Sequence, residues 1–265
     1  MFRFPFSILN PKWLYIRPVS HTDKGCVRRN NEDKAGFRFI GGNKTDFVAV
    51  LADGMGGYEQ GEVASSMMVG TVNDDDGRTM RKDPRRWLSE MIAKANQRIY
   101  ESSLRQQSVM GTTCAILLIR KKKIYCASVG DSRIYLLANG KLRQLTCDHT
   151  VVGEMMRKGE ISSAEAARHP QRSVLTKAIG TSPQIEPDIF KLSCSIRKGD
   201  RFLLCSDGLY DVVPDDVIGR LLAQPSPRTA AFSLVETAKR NGGYDNITVV
   251  IVEINEKSNG DCNET

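Results

Sequence analysis

Four aspartates stand where carboxylates could do chemistry together. Apolar runs at residues 47–52, 124–130 and 202–206 are each followed at once by an aspartate: Asp53, Asp131 and Asp207. The pair Asp245-Asn246 stands immediately ahead of a fourth run, 247–254. An Asp-Gly step after a strand is an ordinary turn, and any one of these alone reads that way. Strand ends on one rim of a β scaffold would bring all four into a small volume, where carboxylates repel unless a cation neutralises them. Oxygen donors with no His or Cys nearby select a hard cation such as Mg²⁺ or Mn²⁺. Gly54, beside Asp53, would let its backbone carbonyl approach such an ion. Upstream lies a second constellation: Thr22-Asp23-Lys24-Gly25, then Arg28, then Asn31-Glu32-Asp33. Arg28 offers a planar, permanently charged fork suited to a phosphoryl group. An arginine near acids is usually a surface ion pair; beside an acidic cluster of this kind it also reads as a phosphate clamp.

These groups need a scaffold, and the pattern of apolar runs supplies one. Strands are expected near 13–19 and at 35–40, 46–52, 112–119, 123–129, 134–137, 142–145, 185–192, 201–205 and 247–254. Asn139-Gly140 between two of them is a hairpin signal, and 120–123 reads as the solvated turn of another. Helical periodicity marks 61–72, 84–104, 151–158, 163–169, 215–223 and 228–241, with Pro84 at a first helical position behind Asp83 as cap. Strands in hairpin succession and helices mostly in pairs indicate an α+β fold of antiparallel sheets with helices outside, not a βαβ alternation.

Composition narrows the function classes. The chain has 265 residues with 40% apolar content, enough for a sizeable core without staples. No stretch approaches the roughly 18 apolar residues of a membrane span. Seven scattered cysteines, with no Cys-x-x-Cys pair or zinc spacing, point to a reducing compartment, the cytoplasm. Nor is a phosphocysteine loop of the Cys-x5-Arg kind expected among them. The net charge of +7 is skewed toward the first thirty residues; nucleic-acid binding would explain it, yet no zinc finger or aromatic–basic RNA signature accompanies it. Residues 1–16 are rich in aromatics broken by prolines. They read as an irregular arm packing on the domain, or more sharply as a weak membrane or partner contact, and not as a signal peptide. Residues 17–255 read as one domain and 256–265 as a tail. Gly41-Gly42-Asn43-Lys44-Thr45 has the wrong spacing for a P-loop.

Several segments occur together in a recognisable order: TDKGCVRRNNED at 22–33, DGMGG at 53–57, GTT at 111–113, VGDSRIYLL at 129–137, LTCDHT at 145–150, SVLTKAIG at 173–180, SDGLYD at 206–211 and DNITVV at 245–250. Over roughly residues 17–254 the chain resembles the metal-dependent Ser/Thr protein phosphatases of the protein phosphatase 2C type, in their bacterial stand-alone form. The resemblance implies a four-layer α/β/β/α sandwich with two divalent cations, Mn²⁺ or Mg²⁺, in a channel at one end. It makes Asp53 the bridge between the ions, Asp207 and Asp245 the holders of one, and Glu32 with the Gly54 carbonyl the holders of the other. Asp33 would support them from behind and Arg28 engage the phosphate, so that Arg28, Asp53 and Asp207 carry the catalysis. Asp131, with Asp207, matches the position of a third, weaker ion, and residues 151–172 match a flap beside the site. Arg133, Ser132 and His149 read as structural. Many eukaryotic members carry a histidine where this chain has Met55, so the general acid is unassigned.

Two such ions roughly 3.5–4 Å apart can lower the pKa of a bridging water and orient it for in-line attack on phosphorus. The implied substrates are phosphoserine and phosphothreonine proteins, among them a Ser/Thr kinase or its target; a monomer without nucleic acid is expected. The alternative is a catalytically silent family member acting as a binding module, which loss of a metal-position aspartate would favour. Every one is present.

Overall fold

The computed structural model describes residues 14–40, 46–56, 60–193 and 196–256. Most of the aromatic arm, the 41–45 segment and the tail beyond Glu256 lie outside these residues. In chain order the strands are β1 (Leu14–Asp23), β2 (Asp33–Phe39), β3 (Phe47–Gly56), β4 (Met110–Thr112), β5 (Cys114–Arg120), β6 (Lys123–Val129), β7 (Arg133–Ala138), β8 (Lys141–Gln144), β9 (Asp188–Lys191), β10 (Arg201–Cys205) and β11 (Ile247–Glu256). The helices are α1 (Gln60–Asn73), α2 (Arg78–Lys82), α3 (Pro84–Gln106), α4 (Val151–Lys158), α5 (Ser163–Ala166), α6 (Asp207–Tyr210), α7 (Asp215–Leu222) and α8 (Pro227–Arg240). Two antiparallel sheets run in the orders β1-β11-β10-β7-β8 and β2-β3-β5-β6-β9, with β4 pairing the end of β3.

The layering follows from which side chains each strand gives to which face. In β3, Phe47, Ala49 and Leu51 point between the sheets, while Val48, Val50 and Ala52 point outward beneath α1 and α3. Both faces are buried, so the strand is apolar throughout instead of alternating with polar residues. On the other sheet Leu203 and Cys205 of β10 and Val249 and Ile251 of β11 pack outward against Leu234 and Val235 of α8 and Ile218 of α7. Three apolar layers thus separate four structural layers, the α/β/β/α sandwich. Each large side chain fully buried in them, Trp87 and Phe202 among them, contributes about 1.5–3 kcal/mol.

Local signals held where they rest on short-range chemistry. Asp83 accepts hydrogen bonds from the Arg85 and Arg86 amides at 3.0 and 3.1 Å, and Pro84 opens α3. Asn139 and Gly140 both have positive φ, 51° and 72°, between β7 and β8, as an Asn-Gly hairpin turn requires. α4 has the expected bounds, and Ser162 with Glu165 forms a capping box at α5. Other expectations are corrected. β1 extends to Asp23 because it pairs with β11 along its whole length. β3 does not stop before Asp53: Gly54, Met55 and Gly56 continue it by pairing with Thr112, Gly111 and Met110. The helix expected at 163–169 ends at Ala166, with turns beyond it. α2 and α6 are too short for periodicity to signal them.

Candidate active site

The carboxylates of the sequence reading gather at one end of the sandwich. Asp53 lies within β3, directly opposite Asp33 of β2 in the antiparallel register. Thr113 ties the Asp53 backbone on both sides: its hydroxyl accepts from the Asp53 amide at 2.9 Å, and its own amide donates to the Asp53 carbonyl at 2.8 Å. Asp207 sits in the first turn of α6, immediately after β10, and Asp245 immediately before β11. Asp131 follows β6.

The electrostatics of this end are unfavourable as the residues stand. The Asp53 carboxyl is pushed well above the usual carboxylate range, first by burial and then by the charges of Asp33, Asp207, Asp131 and Asp245. Asp207 is raised in the same way by burial and by Asp131, Asp245 and Asp211. Asp33 and Asp131 are each raised to about 6, burial being the first cause in both. Ser206 donates to one oxygen of Asp33 at 2.7 Å, yet the other oxygen, and one oxygen of Asp207, are buried with no hydrogen-bond partner. Buried carboxylate oxygens without donors cost several kcal/mol by order of magnitude, and a divalent cation is what this oxygen-only set would bind to relieve that cost. The donor chemistry therefore fits Mn²⁺ or Mg²⁺. Among the described residues no three such groups are already drawn together at metal-gripping distance.

Glu32 and Arg28 ride on the loop between β1 and β2, which hangs on Asn246. The Asn246 side chain donates to the Lys24 and Asn30 carbonyls at 3.0 and 2.9 Å and accepts from the Glu32 amide at 2.8 Å. Gly25, at φ 78°, closes the loop against the next turn, since a Cβ there would lie 2.2 Å from the Asp245 carbonyl oxygen. Gly54 meets Gly61 of α1 so closely that a Cβ on it would stand 2.0 Å from the Gly61 carbonyl oxygen, which brings the Gly54 backbone beside Glu32. Arg28 is half exposed and donates to Asp245 at 2.6 Å. It makes the ion pair of the first reading, with its fork beside the carboxylate cluster.

The residues read as structural are held by neighbouring side chains and backbone groups, Arg133 from within the wall of the cleft beside Asp131. Arg133 holds Asp148 through both oxygens, at 2.7–3.1 Å, and stacks over the Tyr210 ring at 3.5 Å. His149 is fully buried, its Nδ1 accepting from the Gly130 amide at 3.1 Å. Met55 lies against Gly111. The Cys-x5-Arg spacing does occur, contrary to expectation, at Cys114 and Arg120. The two stand about 20 Å apart at opposite ends of β5, the thiol is buried and its pKa strongly raised by that burial, and Arg120 is bonded to the Met80 carbonyl. No phosphate-cradling loop results. Asn246 and Ser206 were missed as positioning residues, although both stand in the quoted motifs DNITVV and SDGLYD.

A family model described as protein phosphatase 2C matches residues 20–240. The chain belongs to the protein phosphatase 2C family. Within the family it is 38% identical over 241 residues to the serine/threonine phosphatase stp of Listeria monocytogenes, covering 88% of this chain and 93% of that protein. It is 37% identical to the serine/threonine protein phosphatase PstP of Mycobacterium tuberculosis over 91% of this chain, which spans 45% of that longer protein. A solved PstP catalytic domain in complex with two manganese ions superposes with a TM-score of 0.80 at 34% identity, covering 92% of this chain and all of that one. The sandwich with helices on both faces is thus the architecture of the family's solved members.

Proposed function

We propose that this chain hydrolyses phosphoserine and phosphothreonine on phosphoproteins in a metal-dependent reaction. The observation that carries the reading is the convergence of Asp53, Asp207 and Asp245 with Glu32 and Arg28 at one pole, where buried carboxylate oxygens lack any donor. Asp53, Asp207, Asp245, Glu32 and the Gly54 carbonyl would hold two divalent ions, and Asp131 with Asp207 a third, weaker one. When bound, the ions supply an activated water and neutralise charge on the phosphoryl group. The chain's own residues do the rest. Arg28 orients the phosphoryl oxygens with its fork, moving from Asp245 to the substrate. Asp33, anchored by Ser206, keeps Asp53 in register. Asn246 holds the loop that carries Arg28 and Glu32, so that substrate and carboxylates meet in one geometry. The flap at residues 151–172 borders the cleft lined by Asp131, Arg172, Tyr210 and Asp211.

The names of its relatives support the substrate class. Reversal of a Ser/Thr kinase in the same cytoplasm, by a monomer, completes the reading; residues 17–255 would form the catalytic domain. The test is hydrolysis of p-nitrophenyl phosphate and a phosphothreonine peptide with Mn²⁺, Mg²⁺ or EDTA, wild type beside Asp207→Ala. Turnover that vanishes in EDTA and in the variant supports the reading. Absence of turnover by folded, metal-loaded protein sinks it in favour of a binding module.

A further inference from the structure

A residue that grips the backbone of two site aspartates at once sets the distance between their carboxylates. Thr113, buried in the step from β4 to β5, is such a residue. On one side it serves Asp53, accepting from the amide through its hydroxyl at 2.9 Å and donating its own amide to the carbonyl at 2.8 Å. On the other side it meets the turn that follows β6. Its Oγ1 stands 2.6 Å from Ser132 Oγ, and its methyl group covers Gly130 so closely that a Cβ there would lie 2.7 Å away. Gly130 and Ser132 are the two chain neighbours of Asp131. Thr113 therefore holds both polar groups of the Asp53 backbone and touches both flanks of Asp131.

One lone pair of Thr113 Oγ1 serves the Asp53 amide, which leaves its proton and second lone pair for Ser132. Ser132 is buried, and among the described residues its hydroxyl makes no other hydrogen bond. Separating the two would strand a buried hydroxyl, which folded chains avoid. The turn is braced from behind as well. The Gly130 carbonyl accepts from the His149 amide at 2.9 Å, and the Gly130 amide donates to His149 Nδ1 at 3.1 Å. Tyr210 donates its hydroxyl to the Asp131 carbonyl at 3.0 Å. Residues 130–132 thus move as a unit, and a close-packed interior passes a shift on instead of absorbing it. The path from that turn to Asp53 runs through Thr113.

We propose that Thr113 and Ser132 are positioning residues that together fix Asp131, the expected holder of a third ion, relative to Asp53, the expected bridge. The inference rests on the metal-dependent reading of those two aspartates. Its test is calorimetric titration of Mn²⁺ into the full chain, with the tightest binding event as the readout. Thr113→Val keeps the methyl group and drops the hydroxyl, whereas Thr113→Ser keeps the hydroxyl and drops the methyl. Ser132→Ala removes the far end of the bridge, and the double variant Thr113→Val with Ser132→Ala completes a cycle. Thermal melts in EDTA show which variants are folded at the temperature of the titration.

Thr113→Val should lower the Mn²⁺ affinity about 10–100-fold, the scale for losing a partner that orients a metal ligand. Thr113→Ser should restore most of it. Ser132→Ala should weaken the same event, although Ser132 makes no hydrogen bond to Asp53, Asp207, Asp245 or Glu32. The double variant should bind no more weakly than Thr113→Val alone, because effects carried along one path do not add. Should Thr113→Val not fold, Thr113→Ser and Ser132→Ala decide the matter. Wild-type affinity in a folded Thr113→Val or in Ser132→Ala, a Thr113→Ser as weak as Thr113→Val, or losses that add in the double variant would overturn the proposal alone. A folded wild type that takes up no Mn²⁺ would overturn it together with the metal-dependent reading.

Discussion

Asp33 and Asp53 face each other directly across the β2–β3 ladder, two carboxylates at the position where like charges oppose a sheet most strongly. Ser206 serves one oxygen of Asp33 and nothing serves the other. Asp33→Asn should therefore stabilise the metal-free protein, by up to about 1 kcal/mol on the scale of cross-strand pairs. The extra stability conferred by Mn²⁺, which grows with the affinity for the folded state, should shrink. Thermal unfolding of both proteins in EDTA and in Mn²⁺ measures both effects. A variant that melts lower than wild type in EDTA would contradict the account.

Asn246 makes three hydrogen bonds to the loop that carries Arg28 and Glu32. Asn246→Ala leaves one donor and two acceptors of the loop backbone unmet, for about 1–3 kcal/mol of stability. Because the loop also positions the site, kcat/KM should fall about 100-fold, the scale of a 1 Å misplacement. Urea unfolding and steady-state kinetics on the same preparation separate the two losses.

Arg28 is a different case, since its ion pair with Asp245 is half exposed. Arg28→Ala should leave stability within about 0.5 kcal/mol of wild type, as surface ion pairs contribute little. Turnover of phosphothreonine peptide should drop by about two orders of magnitude, the scale of one lost charge-stabilising donor. Arg28→Lys should recover only part of it, because the ammonium lacks the planar fork.

His149 gives a pH dependence. Its pKa is lowered, first by burial; the facing Asp188 opposes the shift, and Lys177 and Arg157 add to it. Nδ1 accepts from the Gly130 amide, which a doubly protonated ring could not do. As pH falls through the unfolded value of about 6.5, the unfolded chain takes up a proton that the folded chain refuses. This contribution therefore destabilises the fold progressively below that pH and is nil above it. Denaturant unfolding at stepped pH should show a weaker acid dependence in His149→Asn, and the wild-type imidazole resonance should not titrate near 6.5.

The elements legible in the sequence were those fixed within a few residues: Asp83-Pro84 opening α3, Asn139-Gly140 turning β7 into β8, and the periodic run at 151–158 that forms α4. The four strand-end aspartates were legible as a set because each adjoins its own apolar run. Their mutual placement was not, since the Asp33–Asp53 opposition depends on the β2–β3 register and the Asn246 tie spans more than two hundred positions. Asp53 was misread as a strand terminus because the partner that prolongs β3, Met110–Thr112, is more than fifty residues away.

The pairing of β1 with β11 along every residue from Leu14 to Asp23 has a consequence for synthesis. Among the described residues β1 has no sheet neighbour other than β11. Arg28, Glu32 and Asp53 thus leave the ribosome well before Asp245, Asn246 and the strand that gathers them. Such long-range closure is slow, and the carboxylate end of the sandwich is assembled only once β11 has joined β1 and β10.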